Sequence, residues 1–591
     1  MRRGKWIKRW SAAFLILFVL SSAGLAVTVA PVLRSDKGIV AAAHPLAAQA
    51  GAEILEKGGN AVDAAIAVSL ALGVVEPYAS GLGGEGYLVV QMKDGHRFAL
   101  DFRSTAPKLA TYENLEKSGM TLSEAAKTIK GACVPGVPAA IEYVYKEAAT
   151  MKLEDIALPA IRFAEEGFEV NQTFAGIVAD NFDRLQKSAP DFLNEGLPWE
   201  KGDIFKNPAL AKTIRAFAKE GASLFYRGSI ADKIDAYMKK NDGWIRKEDL
   251  EAYKVVKRDP LHGHYRGYDI YVPGMPVGGP RLLETLNVLE KFNLSALGWD
   301  DPLRLHIMQE AFILTAVDQQ AYVGDPLFDP DLPEAGLLNK DYAKTRMMAI
   351  DLSQASEPET WKDLVGDPAY FENEESFSKI LLQMEFEKEE EKVAALRELV
   401  LESPSTTHFS IIDRWGNAVS WTQTISSFFG TACWVDGFFI NNELGNFKSA
   451  PAPGDPIHME PGKRPRTNIA PMIIEKDGEV KWVLGSPGAS RIVSTLIQII
   501  VDLADFDMSL EEAVKAPKFV GYISYPEIRM EKGYSEETIA CLEKIFGHVV
   551  KLQEYPDLFF GGPNVVGVEE DGTLIGVGSV RRGGAAAAPE K

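Results

Sequence analysis

Polar and apolar side chains alternate over residues 406–412, Thr-Thr-His-Phe-Ser-Ile-Ile, and again over 418–424, Ala-Val-Ser-Trp-Thr-Gln-Thr. Asp413-Arg414-Trp415-Gly416 lies between them as a turn cluster, so the pattern predicts a hairpin with residue 406 at the head of its first strand. A second hairpin is predicted from 87–91 and 97–102 around Asp94-Gly95. Elsewhere the apolar period is helical. It predicts alanine-rich helix over 45–75, broken at Gly58-Gly59, and amphipathic helices over 137–149, 153–164, 280–292, 303–321 and 496–503. No segment repeats. The chain is 46% apolar, ample for a large core and unlike a disordered sequence. At 591 residues it exceeds one ordinary domain, although a layered enzyme core can fold as one unit at that length.

The first residues change the picture. Arg2, Arg3, Lys5, Lys8 and Arg9 precede an apolar run over 11–33. A basic region followed by a hydrophobic one reads as an export signal. Gly24-Leu25-Ala26 and Thr28-Val29-Ala30 offer small residues for cleavage; left uncut, a run of about 20 residues suffices to span a bilayer. Residues 1–30 are therefore read as a signal peptide or a signal anchor. The mature protein is expected to be secreted or held on the outer face of the cytoplasmic membrane. Lys and Arg number 63 against 83 Asp and Glu, a net charge of −20. That balance excludes nucleic acid as the expected partner, because phosphate contact needs basic patches. Cys133, Cys433 and Cys541 make neither a disulfide framework nor a metal-ligand spacing. One bridge could form after export, but three buried free thiols are the expected state.

Gly81, Gly83 and Gly86 spell G-x-G-x-x-G, yet the dinucleotide fingerprint follows a strand and opens a helix. Here a helical segment precedes the glycines and the strand 87–91 follows, so nucleotide binding is rejected. They are read instead as allowing a tight turn or close backbone approach to a bound group. Thr406 carries more chemistry. Within a chain its hydroxyl has no base. Cutting the Ser405–Thr406 bond would free an α-amine about one hydrogen-bond length from that hydroxyl. Such an amine titrates at roughly 7.7–8.0 and can serve as base at neutral pH. A threonine with its own amine is an activated nucleophile. The charge cluster Glu385–Lys392 upstream reads as a solvated helix face, placed where a polar segment could swing away after a cut. From the local residues alone, Ser-Thr-Thr opening a strand reads sooner as plain β-propensity.

Fragments along the rest of the chain decide between these readings. They are Ala43-His44-Pro45-Leu46-Ala47, Glu56-Lys57-Gly58-Gly59-Asn60-Ala61-Val62-Asp63, Gly81-Leu82-Gly83-Gly84-Glu85-Gly86, Asp101-Phe102-Arg103, Val134-Pro135-Gly136, Gly485-Ser486-Pro487-Gly488 and Phe560-Gly561-Gly562. In this order around Thr406-Thr407-His408-Phe409-Ser410, over about residues 38–588, the sequence resembles the γ-glutamyltransferase (γ-glutamyl transpeptidase, glutathione hydrolase) family. The resemblance implies an α+β fold, the four-layer αββα sandwich of the N-terminal-nucleophile (Ntn) hydrolases. That sandwich is formed jointly by a large and a small subunit from one precursor, here residues 31–405 and 406–591. It makes Ser405–Thr406 the self-cleavage site and Thr406 the nucleophile. Thr424 matches the second threonine that bonds to the nucleophile. Gly488 and Ala489 match the glycine pair whose backbone N–H groups form the oxyanion hole, donors worth about 3 kcal/mol each. Arg103 matches the arginine that pairs with the substrate α-carboxylate, a task suited to a guanidinium fork.

Departures gather in one pocket. Ser426 stands where the family has asparagine, and Glu443 matches a family Glu or Gln. Asn446 replaces the aspartate that binds the substrate α-ammonium, and Thr467-Asn468 replace the paired serines that hold the α-carboxylate. The stretch 449–462 is shorter than in members with a lid over the site, which implies an open pocket. The expected reaction is acyl transfer from a small-molecule γ-glutamyl or related amide to water or an amine, without metal or cofactor. The alternative within the family is a cephalosporin-acylase-like amidase taking glutaryl-type acyl groups. The other, from a different class, is a non-enzymatic relative keeping the fold as a surface-binding module.

Overall fold

The hairpin predicted around Asp413 is present: Thr406–Asp413 pairs antiparallel with Ala418–Thr424, setting Thr406 opposite Thr424 and Ile412 opposite Ala418. The structure is a computed structural model that describes residues 27–372, 405–449 and 454–590. Most of the basic-apolar leader and the cluster 385–392 lie outside the described residues. Asp413 fixes the turn, its carboxylate accepting from the backbone of Trp415 at 2.9 Å and Asn417 at 3.0 Å. The same carboxylate takes the N–H of Ala61 at 2.9 Å, tying the turn to the start of helix Ala61–Val75.

That hairpin sits in the middle of an eight-stranded sheet. Its order is Val27–Ala30, Ala585–Pro589, Gly38–Ala42, Thr406–Asp413, Ala418–Thr424, Glu85–Gln91, Arg97–Phe102 and Val256–Arg258. A seven-stranded sheet stacks on it, in the order Val32–Ser35, Leu574–Val577, Val565–Val568, Glu479–Leu484, Met472–Lys476, Tyr268–Val272 and Leu261–Tyr265. Three apolar layers separate four layers of structure. Tyr87, Val89, Ile412, Ile473, Val483 and Val566 pack between the sheets. Helices Pro45–Glu56 and Ala61–Val75 cover the first sheet through Val68, Phe409, Ile411 and Trp421. Helices Gly279–Leu289, Pro302–Tyr322 and Ile492–Ala504 cover the second through Leu286, Phe312, Ile474 and Leu496. Each such side chain fully removed from water contributes roughly 1.5–3 kcal/mol. The αββα sandwich is therefore the fold.

Strand period explains the position of Thr406. Side chains at i and i+2 share a face. Phe409 and Ile411 enter the helix-side core, so Thr406, His408, Ser410 and Ile412 face the second sheet. Both faces of this hairpin are buried. The polar face is satisfied internally: Ser420 Oγ donates to the Leu484 carbonyl at 2.8 Å and Ser410 Oγ to that of Asn564 at 2.9 Å.

The helix over 45–75 breaks at Gly58-Gly59 as expected, into Pro45–Glu56 and Ala61–Val75, the second started by a reciprocal cap between Asn60 and Asp63. One boundary differs from the periodicity for a local reason. The segment 153–164 divides into Leu153–Ile156 and Leu158–Glu166, because Pro159 cannot continue a helix but suits its first turn. Cys133 and Cys433 are buried free thiols as expected, whereas Cys541 is only half-buried. Among the described residues no helix is long and apolar enough to cross a membrane.

Candidate active site at the head of the hairpin

Thr406 and Thr424 face each other across the last pair of the hairpin. Thr406 Oγ1 donates to Thr424 Oγ1 at 3.2 Å. The N–H of Ser426 donates to the same oxygen at 2.9 Å, which leaves the Thr424 proton aimed at the Ser405 carbonyl, 3.5 Å away. One hydroxyl thus accepts from the residue after the Ser405–Thr406 bond and points its donor at the carbonyl of that bond. Ser426 reaches this position with φ +74°, a left-handed backbone held by Ser427 N–H and Asn442 Oδ1 at 2.9 Å. Ser405 is fully buried, and its hydroxyl has no hydrogen-bond partner among the described residues. An unpaired buried hydroxyl costs about 1–3 kcal/mol.

The carbonyl of Thr406 accepts from the Arg582 guanidinium. Arg582 lies 3.6 Å from Glu76, which also accepts from Tyr78 Oη at 3.0 Å and Thr407 Oγ1 at 2.9 Å. Burial, and then the Glu76 charge, push the Tyr78 hydroxyl well above its ordinary range, so it stays a neutral donor. Beneath Thr406, the His408 ring bonds Thr422 Oγ1 and Ser410 Oγ, each at 2.9 Å. Burial lowers that imidazole to about 3, so it is neutral. A Cβ on Gly485 would come within 2.2 Å of the ring, so only glycine lets the second sheet approach here.

Gly488 and Ala489 follow strand Glu479–Leu484, at φ +138° and +54°. For Ala489 that left-handed conformation costs on the order of 1 kcal/mol. This turn packs on the Gly561-Gly562 pair: a Cβ on Gly488 would lie 3.1 Å from Gly561 Cα. A Cβ on Gly562 would lie 3.0 Å from Arg582 Cβ and 3.4 Å from Pro487. The Gly488 turn thus packs on Gly561-Gly562, and Gly562 lies against Arg582, whose guanidinium bonds the Thr406 carbonyl.

A second grouping lies along the same ladder. Thr424 pairs with Glu85 on the next strand, which puts Glu85 roughly 10 Å from Thr406 by strand spacing. Glu85 forms an ion pair with Arg103, which is fully buried. The same guanidinium donates to Glu443 Oε2 at 3.0 Å and, through Nη2, to the Pro465 carbonyl at 2.8 Å. Asn446 Nδ2 donates to Glu443 Oε2 at 2.7 Å. Thr467 and Asn468 are buried just beyond Pro465, the N–H of Thr467 on the Pro276 carbonyl at 3.1 Å. Arg103 and Asn446 thus both bond Glu443, and both acids, Glu85 and Glu443, are already engaged by the arginine. The glycine-rich turn at 81–86 serves this ladder. Cβ atoms on Gly83, Gly84 and Gly86 would meet the carbonyls of Phe439, Thr424 and Thr422 at 2.0, 2.5 and 2.1 Å. The glycines make a tight turn, one of the two roles read from the sequence, with the Gly84 N–H on the Gly81 carbonyl at 3.0 Å, and the close approach is to the protein's own main chain.

Sequence reasoning missed Glu85, Glu76 and Arg582. Glu85 had a signal, as the one acid in Gly81-Leu82-Gly83-Gly84-Glu85-Gly86. Arg581-Arg582 had another, as a basic pair in a glycine- and alanine-rich terminal segment.

The gamma-glutamyltranspeptidase family model matches residues 47–589. The chain is 35% identical to the glutathione hydrolase proenzyme of Escherichia coli K12, covering 93% of this chain and 91% of that protein. It is 32% identical to the Acylase ACY 1 proenzyme of Pseudomonas sp. SE83, covering 93% of both. The crystal structure of cephalosporin acylase from Bacillus halodurans superposes with a TM-score of 0.81 at 28% identity, over 95% of this chain and 97% of that one.

Proposed function

The chain belongs to the gamma-glutamyltranspeptidase family of hydrolase and transferase enzymes, and from that membership we propose that it is a self-cleaving acyl-transfer enzyme with Thr406 as nucleophile. The observation that carries the reading is the bonding of Thr424 Oγ1 to Thr406 Oγ1 and to the Ser405 carbonyl. In the uncut chain, Thr406 Oγ adds to the Ser405 carbonyl while Thr424 donates to its oxygen. The C–N bond breaks, the nitrogen takes a proton, and an ester links Ser405 to Thr406 Oγ. Water then hydrolyses the ester, freeing the Ser405 carboxylate, the Thr406 hydroxyl and the Thr406 α-amine. That amine becomes the base for the second use of the same oxygen, attack on a substrate amide. The N–H groups of Gly488 and Ala489 receive the developing oxyanion. Water or an amine then releases the acyl group. Residues 31–405 and 406–591 become the two subunits, and the leader directs the precursor out of the cytoplasm.

γ-Glutamyl amides such as glutathione are the proposed donors, read by Arg103, Ser426, Glu443, Asn446, Thr467 and Asn468. A glutaryl amidase is the second reading. It is favoured by Asn446, a neutral amide turned onto Glu443, and by the sequestration of both acids on Arg103. The test takes purified wild type and Thr406→Ala. Wild type should resolve into two fragments, the smaller starting at Thr406, and should turn over a γ-glutamyl or a glutaryl anilide. Thr406→Ala should stay one inactive chain. A small fragment starting elsewhere, or wild type that never splits, overturns the nucleophile assignment.

A further inference from the structure

Far from the hairpin, in the helix layer against the second sheet, helix Pro302–Tyr322 carries His306 and Glu310 one turn apart on a single face. His548 reaches them from the turn between helix Glu536–Lys544 and strand Val550–Gln553. His306 Nδ1 and His548 Nε2 are 2.8 Å apart, and one ligand atom from each of the three side chains lies within 4.8 Å of the others. All three are buried. The acyl-transfer chemistry uses none of them.

The surroundings orient the donors. The Asp351 carbonyl, an acceptor only, lies 2.8 Å from His306 Nε2, so that nitrogen carries the proton and Nδ1 presents a lone pair. Phe546 stacks on the ring at 4.3 Å between centroids and holds its plane. Glu310 Oε2 takes the N–H of Ser356 at 3.2 Å, and among the described residues no cation is paired with this carboxylate. A histidine whose far N–H rests on a carbonyl is the usual support for a metal ligand. Two imidazoles and one carboxylate suit zinc and its first-row neighbours; magnesium and calcium require oxygen donors.

We propose that His306, Glu310 and His548 form a site for a divalent first-row transition cation such as zinc. His306 and Glu310 precede the Ser405–Thr406 bond and His548 follows it, so after cleavage the cation would be shared by both subunits and clamp them together. Binding requires the His548 proton to move from Nε2 to Nδ1, a change of tautomer without change of charge. The two nitrogens must part by about 0.5 Å, since ligands about 2.05 Å from a tetrahedral metal lie about 3.3 Å apart. A water completes the coordination.

The processed enzyme, stripped with a chelator, is titrated with Co²⁺ alone. One equivalent should bind with visible d–d bands, and Zn²⁺ should bleach them by displacement. Glu310→Gln and His548→Gln should each weaken Co²⁺ binding by more than about tenfold, the smallest loss expected for even an outer-shell partner. Zn²⁺ should raise the urea concentration at which the subunits separate in wild type and not in either variant. Uncut Thr406→Ala should bind Co²⁺ as wild type does, so a failure of self-cleavage stays distinguishable from a failure of the metal site. Folded wild type that takes up no stoichiometric Co²⁺ overturns the site, even if the variants fail to fold. Uptake untouched by both substitutions overturns the ligand assignment, and uptake that leaves subunit separation unmoved overturns the clamp.

Discussion

At the scale of residues, the proposed discrimination among donors rests on a short chain of contacts, Arg103 to Glu443 to Asn446. Glu443 spends one oxygen on both neighbours, and a neutral amide at 446 adds no charge for a substrate ammonium. Replacing it by a carboxylate restores a charge-assisted bond of roughly 1.5–3 kcal/mol, or about tenfold to hundredfold in preference. Without substrate, Asn446→Asp sets two carboxylates at hydrogen-bond distance, which resist ionising together. An ammonium relieves that repulsion and a glutaryl group does not. We therefore expect Asn446→Asp to raise the ratio of γ-glutamyl to glutaryl turnover by at least about tenfold, measured with paired anilides. An unchanged ratio means Asn446 does not face the α-amine. The hairpin that sets Thr406 opposite Thr424 was legible because a local pattern specifies a register, whereas the roles proposed for the two threonines came from the family resemblance. The Arg582–Glu76 pair was not, because its members come from opposite ends of the chain and no period links them.

Among elements, the glycine turn at 81–86 and the hairpin it supports set the position of Thr424. A Cβ on Gly84 would sit 2.5 Å from the Thr424 carbonyl, a backbone atom with nowhere cheap to move. Gly84→Ala should shift the end of strand Ala418–Thr424 and cost about 1–3 kcal/mol of stability, the usual range for overpacking. A displacement near 1 Å can cost about a hundredfold in rate, so self-cleavage should slow far more than melting falls. A time course on denaturing gels beside a thermal melt separates the two effects; cleavage at the wild-type rate would show that the turn does not position Thr424. Alternation gave this hairpin correctly but concealed its setting. A polar/apolar strand ordinarily has one wet face, whereas here His408, Ser410, Ser420 and Thr422 are buried between sheets and bonded to one another or to main chain. The same face predicts acid sensitivity. Burial holds His408 at about 3 against an ordinary 6.5, so below pH 6.5 the unfolded chain binds a proton that the folded one refuses. Its contribution is complete above pH 6.5 and is lost as pH falls toward 3, by about 1–2 kcal/mol between pH 6.5 and pH 5. Buried carboxyls held above their ordinary range, such as Asp413, act in the opposite sense. The reading is therefore the difference from His408→Asn, whose urea stability should fall less steeply over that interval; parallel pH curves would contradict the buried neutral ring.

For the whole molecule, a cut at Ser405–Thr406 need not release either piece, because the eight-stranded sheet alternates between them. Strands Gly38–Ala42 and Glu85–Gln91 lie before the bond; Thr406–Asp413, Ala418–Thr424 and Ala585–Pro589 lie after it. In sheet order the upstream strand Gly38–Ala42 sits between Ala585–Pro589 and Thr406–Asp413, both downstream. Its ladder to each, Ala585 opposite Ala42 and Phe409 opposite the same residue, is unaffected by the loss of one peptide bond. The helix-side core joins Val68 and Val40 to Phe409 and Trp421 across the same boundary, and the inter-sheet core joins Tyr87 and Ala41 to Ile473 and Val566. Separation would expose those surfaces at roughly 25 cal/mol per Å² of apolar area, a cost far above that of ordinary association. The cleaved protein should therefore elute as one species in native buffer, show two bands only under denaturing conditions, and melt in a single transition with both fragments unfolding together. Gel filtration that resolves the fragments in native buffer would mean that the two subunits do not share this sheet after cleavage. Agreement would instead explain how a nucleophile can acquire a free α-amine inside a buried sheet: the chain end is created after the sheet has formed, and the strands on either side hold it where it was cut.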